Sequence, residues 1–127
     1  MADELKGKKI LLVDDDQEVL RTLEAALAET GATIDTAGDG NVAVTKVKAD
    51  CPDLMVLDMM MPKRSGFLVL ESIKKGKSRT DPPRVVVITG NTGLRHRAYA
   101  EGMGAEAYFN KPFRMDKLLE AVMKLLS

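Results

Sequence analysis

The stretch "ILLVDDDQEVL", residues 10–20, runs four apolar residues directly into three aspartates. The apolar run is typical of a buried strand, and it ends where like charges repel one another. Two carboxylates about 4 Å apart cost on the order of 4 kcal/mol at an effective dielectric constant of about 20. That cost is a large fraction of the stability of a small domain, so the aspartate cluster calls for a functional explanation.

Short β-rich runs alternate with amphipathic segments of helical length along the rest of the chain. Apolar residues repeat at helical spacing from Val19 to Leu27 and from Met115 to Leu126, and segments 41–49, 66–75 and 92–103 fill the gaps between strands. The order (βα)5 predicts an α/β fold with a doubly wound, five-stranded, mostly parallel sheet and right-handed crossovers. The predicted strands are Lys9–Val13, Thr33–Ala37, Leu54–Leu57, Arg84–Thr89 and Glu106–Phe109.

Size, charge and cysteine content narrow the class of protein. At 127 residues the chain has the length of one domain, predicted to span residues 1–127 with a core of about 8–126. Its 19 basic and 19 acidic side chains balance, so no net charge draws it to nucleic acid or an anionic membrane. The one cysteine, Cys51, excludes an internal disulfide and suits a reducing compartment, and no signal peptide is evident. We therefore expect a cytoplasmic protein.

Five polar residues follow the predicted strands and should meet at one edge of the sheet. Asp14 and Asp15 follow the first strand, Asp58 the third and Lys111 the fifth, while Thr89 ends the fourth. Loops and helix N-termini converge at the carboxyl ends of parallel strands, which is where ligands bind in such sheets. Taken alone, each residue has an ordinary explanation, such as a turn for an aspartate or a solvated loop for a lysine. Their joint arrival at one edge indicates a functional site.

The chemistry that fits this set is phosphoryl transfer with a hard divalent cation. Mg²⁺ prefers oxygen ligands and commonly takes one or two carboxylates, a role that suits Asp15 and Asp58 with Asp14 acting through water. A carboxylate can also attack phosphorus and form an aspartyl phosphate. The cation and Lys111 would offset the charge of the new phosphoryl group. Asp16, just before the first helix, is interpreted as its N-cap.

With these residues in place, the chain resembles the receiver domain of the bacterial two-component response regulators. The resemblance covers essentially the whole chain and implies a flavodoxin-like fold. It rests on "LLVDDD" (residues 11–16), "AGDG" (37–40), "DLMVLDMMMPKRSG" (53–66, with Asp58 before Pro62 and Gly66), "VVVITG" (85–90, with Thr89) and "AYFNKPF" (107–113, with Tyr108, Lys111 and Pro112).

The resemblance implies that Asp58 accepts a phosphoryl group from a phosphohistidine on a histidine kinase or phosphotransfer protein. It also implies Mg²⁺, or Mn²⁺ in its place, held by Asp15, Asp58 and the backbone carbonyl of Met60. Asp14 would support the cation through a bound water. The protein would then be a signalling switch, and not an enzyme beyond accepting and hydrolysing its own phosphoryl group.

The resemblance further implies a relay from the site to a signalling surface. Thr89 would turn its hydroxyl onto a phosphoryl oxygen, Lys111 would pair with the phosphoryl group, and Tyr108 would move from an outward to an inward rotamer. The Lys111–Pro112 peptide bond would be cis. The output would leave through the face formed by the fourth helix, fifth strand and fifth helix, toward an unknown effector protein or a second copy of the chain.

Two positions resemble those that tune the lifetime of the phosphoryl group in this family. Met60 and Asn91 stand two residues after Asp58 and Thr89, respectively. Because a methionine side chain offers no hydrogen bond to an attacking water, we expect slow to moderate self-hydrolysis. No direct binding of nucleic acid or membrane is expected.

Two alternatives remain open from the sequence. A phosphatase of the haloacid-dehalogenase type also forms an aspartyl phosphate with Mg²⁺, and "DDD" contains its D-x-D spacing at Asp14 and Asp16. That alternative leaves Asp58, Thr89 and Lys111 without roles, and no cap domain is present to bind a substrate.

The second alternative is the receiver of a DNA-binding transcription regulator, severed from its effector. The sequence ends at Ser127, directly after the fifth predicted helix, so such an effector would lie outside it. Either way, the predicted role of this domain is the phosphorylation-dependent switch.

Overall fold

The computed structural model describes residues 4–61, 63–90 and 94–127. Strands and helices alternate without exception along these residues, which confirms the predicted (βα)5 order. The elements are β1 Lys9–Val13, α1 Gln17–Ala28, β2 Thr33–Ala37, α2 Gly40–Ala49, β3 Leu54–Asp58, α3 Gly66–Lys74, β4 Arg84–Thr89, α4 Leu94–Gly102, β5 Ala105–Asn110 and α5 Met115–Leu126.

The five strands form one parallel sheet in the order β2-β1-β3-β4-β5. β3 extends one residue further than predicted, because Asp58 still pairs in register with Ile88 of β4. β5 is longer at both ends, since its pairing with β4 runs from Ala105 to Asn110 across an irregularity near Val85. The doubly wound fold predicted from the sequence is confirmed.

Apolar side chains pack on both faces of the sheet, alternating along each central strand as the pleat requires. One core layer lies beneath α2, α3 and α4, and the other beneath α1 and α5. The first contains Leu11, Val13, Met55, Leu57, Val85 and Val87 with Val44, Val47, Val69, Leu70 and Ala100 from the helices. The second contains Ile10, Leu12, Leu54, Val56, Val86 and Ile88 with Leu20, Leu23, Leu27, Leu118 and Val122.

Side-chain caps fix the first turns of three helices at the carboxyl edge of the sheet. The Asp16 carboxylate accepts hydrogen bonds from the N–H groups of Glu18 and Val19, which confirms its interpretation as the N-cap of α1. Asp39 caps α2 and Ser65 caps α3 in the same way. Such caps satisfy N–H groups that the helix itself leaves unpaired, so the chain is held firmly where the polar residues gather.

A buried lysine organises the loop between α3 and β4. Lys74 is only 5% exposed, and its Nζ donates hydrogen bonds to the backbone carbonyls of Arg79 (3.1 Å), Asp81 (2.7 Å) and Pro83 (3.1 Å). Burial lowers the pKa of this ammonium group. Three carbonyl partners use all three donors of the ammonium, so one side chain replaces the water that the loop would otherwise need.

We expect Lys74→Met to lower the free energy of unfolding by about 2 kcal/mol, because each buried carbonyl left unpaired costs about 1–3 kcal/mol until water reaches it. Lys75→Met, at the exposed neighbouring position, serves as the matched control and should change stability little. Urea unfolding of the two variants checks the prediction. Equal shifts in the two would contradict this role for Lys74.

Candidate functional site

Three aspartates meet at the carboxyl ends of β1 and β3, as the sequence predicted they would. Asp14 and Asp58 are buried, with exposed fractions of 0% and 3%, while Asp15 between the strand and α1 is exposed. One carboxylate oxygen from each residue lies within 4.8 Å of the other two. This is a donor set of oxygens only, which suits a hard divalent cation.

Lys111 brings a positive charge into the same cluster from the loop after β5. Its Nζ lies 2.7 Å from Asp14 Oδ2 and 3.5 Å from Asp58 Oδ2. Its backbone N–H donates to the carbonyl of Thr89 (2.8 Å), and the Lys111–Pro112 peptide bond is cis. The lysine therefore lies within the acidic cluster and not in a solvated loop.

Asp14 and Asp58 experience different surroundings. Asp14 has a partner for each oxygen, because Oδ1 accepts from the Asp16 N–H (2.9 Å) and Oδ2 from Lys111. Asp58 Oδ1 accepts one hydrogen bond, from the Met60 N–H (3.1 Å). Burial raises the pKa of Asp58 to about 6, and the charge of Asp14 adds to this, while the Met60 N–H and Lys111 act in the opposite direction. Burial is therefore the main reason that Asp58 binds a proton more readily than an ordinary aspartate.

The electrostatics of Lys111 follow from the same contacts. Burial alone would lower the pKa of its ammonium group, but the hydrogen bond to Asp14 and the charge of Asp58 raise it above its ordinary value. Lys111 consequently stays positively charged at neutral pH. An anionic group added at Asp58 would meet a fixed positive charge in a partly buried setting, where such attraction is stronger than in water.

The predicted switch residues lie on the two adjacent strands β4 and β5. Thr89 is fully buried at the end of β4. Tyr108 is partly buried in β5, and the guanidinium carbon of Arg97 in α4 lies 5.8 Å from its ring centroid. Burial raises the pKa of Tyr108, while the charge of Arg97 lowers it. The tyrosine ring thus packs against Arg97 of α4.

Two positions, Met60 and Asn91, were predicted to tune the lifetime of a phosphoryl group, and Met60 lies in the loop after β3. The Met60 side chain is 56% exposed, while Met59 beside it is buried in the core. Asn91 and Pro62 lie outside the described residues. Lys63 has a left-handed backbone, with φ of 67°.

Sequence reasoning missed a close contact between α2 and the loop after β3, made where Gly40 begins the helix. The one available signal was a glycine at the first position of a helix, where alanine would favour the helix more.

Among the described helices, none combines the length and apolar character needed to cross a bilayer.

Comparison with known proteins gives a consistent result. Residues 10–123 match the response regulator receiver domain family. The response regulator MprA of Mycobacterium ulcerans is 36% identical over 118 residues, which are 93% of this chain and 50% of that protein. The chain thus spans about half the length of the curated relatives it matches.

Solved structures agree in fold. A two-component response regulator from Clostridium difficile superimposes with a TM-score of 0.85 at 26% identity, covering 94% of this chain and 95% of that one. A CheY-like receiver domain protein from Methanospirillum hungatei gives a TM-score of 0.83 at 27% identity, with coverage of 94% and 93%. With the match over most of its length, the chain belongs to the response regulator receiver domain family of two-component signalling.

Proposed function

We propose that this receiver domain is a phosphorylation-dependent switch in which Asp58 accepts a phosphoryl group from a phosphohistidine of a histidine kinase or phosphotransfer protein. In that step the phosphorus–nitrogen bond of the donor breaks and a bond forms between phosphorus and an Asp58 oxygen. The leaving imidazole recovers its electron pair. A kinase partner that uses ATP would place the domain in the cytoplasm.

The observation that carries this proposal is the position of Asp58 among charges. It is a buried carboxylate beside one ammonium and two further carboxylates, with its pKa raised to about 6. At neutral pH it is ionised, so it can act as a nucleophile, and its raised pKa reflects a basicity above that of an ordinary aspartate. Groups with such perturbed pKa values cluster at functional sites.

Asp14, Asp15, Asp58 and the backbone carbonyl of Met60 are the groups that would hold Mg²⁺ or Mn²⁺, with Asp14 acting through water. The fit rests on the three carboxylate oxygens within 4.8 Å of one another. A bound divalent cation supplies charge neutralisation for the cluster and for the incoming phosphoryl oxygens. Lys111 and the Asp16 N–H each donate a hydrogen bond to an oxygen of Asp14 in this arrangement.

Phosphorylation would alter the α4–β5–α5 face through three residues, Lys111, Thr89 and Tyr108. Lys111 already lies 3.5 Å from Asp58 and would pair with the phosphoryl group. Thr89 would turn its hydroxyl toward a phosphoryl oxygen, and Tyr108 would follow by moving inward. The phosphoryl group favours the active state only through contacts that the inactive state lacks. The α4–β5–α5 face would then engage an effector protein or a second copy of the chain.

The phosphatase alternative gains no support from the geometry. Asp16 would have to act as acid or base, yet its carboxylate caps α1. Asp14 would have to be the nucleophile, yet both its oxygens are engaged.

Incubation with Mg²⁺ and acetyl phosphate should add one phosphoryl group, measured by intact mass. The adduct should be lost in Asp58→Asn and on chelation of the metal, because the nucleophile or the charge balance is then missing. Asp50→Asn, at an exposed aspartate elsewhere, should accept the group normally. An adduct retained in Asp58→Asn would contradict the assignment.

The raised pKa of Asp58 also predicts how stability depends on pH without metal. Between about pH 4 and pH 6 the folded chain holds a proton that the unfolded chain has released, so the free energy of unfolding falls as pH rises through that window. Asp58→Asn should therefore be more stable than the parent by about 1 kcal/mol at pH 7, a value reduced for solvent screening. This gain should vanish below about pH 4.

Chemical unfolding in chelator at a series of pH values tests this dependence. Asp50→Asn should track the parent at each pH. A variant Asp58→Asn that is less stable than the parent at pH 7 would contradict the strain assigned to Asp58. Saturating Mg²⁺ should raise the melting temperature of the parent more than that of Asp58→Asn, since a ligand stabilises the state that binds it.

The lifetime of the aspartyl phosphate should be minutes or longer after the donor is removed. Met60 offers no hydrogen bond to an attacking water, whereas the amide in Met60→Gln does and should speed hydrolysis. Loss of the adduct followed by mass measurement gives both rates. A parent half-life of seconds would contradict this role for Met60.

A further inference from the structure

The start of α2 touches the loop that follows the proposed phosphoacceptor strand. A Cβ atom on Gly40 would lie 2.2 Å from the carbonyl oxygen of Arg64, 2.7 Å from its Cβ and 2.9 Å from its carbonyl carbon. The obstacle is largely backbone, so no side-chain rotation could relieve it. Only glycine at this position permits Arg64 to lie directly on the first turn of α2.

The same loop is in equally close contact on its other side. A Cβ atom on Gly66 would lie 2.5 Å from the Asp58 carbonyl oxygen and 2.5 Å from Met59 Cα. The Gly66 N–H also donates to the carbonyl of Met59 (3.1 Å). The segment Arg64–Gly66 is therefore confined between the start of α2 and the backbone that carries the Asp58 side chain.

Further contacts join the loop to the starts of α2 and α3. Lys63 adopts a left-handed backbone, and its Nζ lies 3.8 Å from Asp39 Oδ2. Ser65 caps α3, and Asp39 caps α2 next to Gly40. Because the loop touches α2 on one side and the backbone of Asp58 and Met59 on the other, pressure from α2 would be passed toward Asp58.

We infer that Gly40 is a positioning residue for phosphoryl acceptance, acting through the Arg64–Gly66 segment on the backbone of Asp58. The inference rests on the proposed role of Asp58, and it adds a residue of α2 that does not touch the carboxylate cluster. Because Gly40 has no side chain, the loop can lie against α2. The position of the loop in turn determines the geometry of the hydrogen bond from the Met60 N–H to Asp58. A displacement of about 1 Å at a reacting group can cost on the order of 100-fold in rate.

The test compares Gly40→Ala with Gly38→Ala. Gly38 is the matched control, because an added Cβ there meets only Gln17 Nε2, at an ordinary 3.8 Å. At saturating Mg²⁺ and acetyl phosphate, Gly40→Ala should be phosphorylated at least about 10-fold more slowly than the parent. Calorimetric titration in the absence of phosphodonor should also show weaker Mg²⁺ binding. Gly38→Ala should match the parent in both measurements.

A second control distinguishes a positioning effect of Gly40→Ala from a general loss of stability. Val47→Ala removes buried volume from the same helix away from the loop, and it should lower the melting temperature without changing either rate or Mg²⁺ affinity per folded molecule. The inference would be overturned if Gly40→Ala were phosphorylated at the parent rate. It would also be overturned if its phosphorylation rate fell no more than that of Val47→Ala. Absence of phosphorylation in the parent itself would instead refute the proposed function, leaving Mg²⁺ affinity to judge Gly40.

If Gly40→Ala does not fold, Lys63→Gly is added to it. Glycine at a left-handed position frees the loop to move away from α2. A double variant that folds but accepts phosphoryl groups slowly supports the positioning role. A double variant that is phosphorylated normally, or that still does not fold, overturns it, because the contact would then serve folding alone.

Discussion

Negative charge confined at the carboxyl edge of the sheet is the constraint on which the rest of the site depends. Three carboxylates face one ammonium within a few ångströms, which leaves two net negative charges when all are ionised. A divalent cation bound at the cluster would balance that charge. A phosphorylated Asp58 would carry about −1.5 to −2 charges in place of the single negative charge of the carboxylate. Up to one additional negative charge would then need a partner. If Asp58 is phosphorylated as proposed, hydroxyl and N–H donors that move toward the phosphoryl group would be the remaining source of stabilisation, and the site would have a reason to rearrange.

The sheet order explains why this cluster forms without unfolding the domain. β1 and β3 are neighbours, but the chain leaves them for opposite faces, to α1 and α3 respectively. The loops diverge and open a crevice at that point, so Asp14 and Asp58 come close while remaining open toward Asp15 and Lys111. Apolar packing on both faces of the central strands supplies the stability that holds the charged residues there.

The sequence predicted the fold and the composition of the site, but not the contacts that tune it. Strand-like and helix-like periodicities alternate along the chain and predicted the (βα)5 order. The same local periodicity located the strand ends and so identified Asp14, Asp58 and Lys111. The stronger pairing of Lys111 with Asp14 than with Asp58 depends on a few ångströms of loop geometry. The approach of Arg64 to Gly40 likewise joins segments far apart in sequence, and no local pattern encodes such a distance.

The contact between Arg97 and Tyr108 beside β5 is large enough to matter for the coupling free energy of a switch. A cation–π contact at an exposed site contributes about 0.5–1 kcal/mol, and Arg97 makes one with the Tyr108 ring while lying 3.7 Å from Glu101. Coupling between sites in allosteric proteins is typically about 1–3 kcal/mol. If Tyr108 moves inward as proposed, it would give up the Arg97 contact, and that loss would subtract a sizeable part of the coupling free energy that phosphorylation could provide. Under the proposed switch, Arg97, which also lies near Glu101, would favour the position that the Tyr108 ring occupies here, at the face proposed to meet the effector.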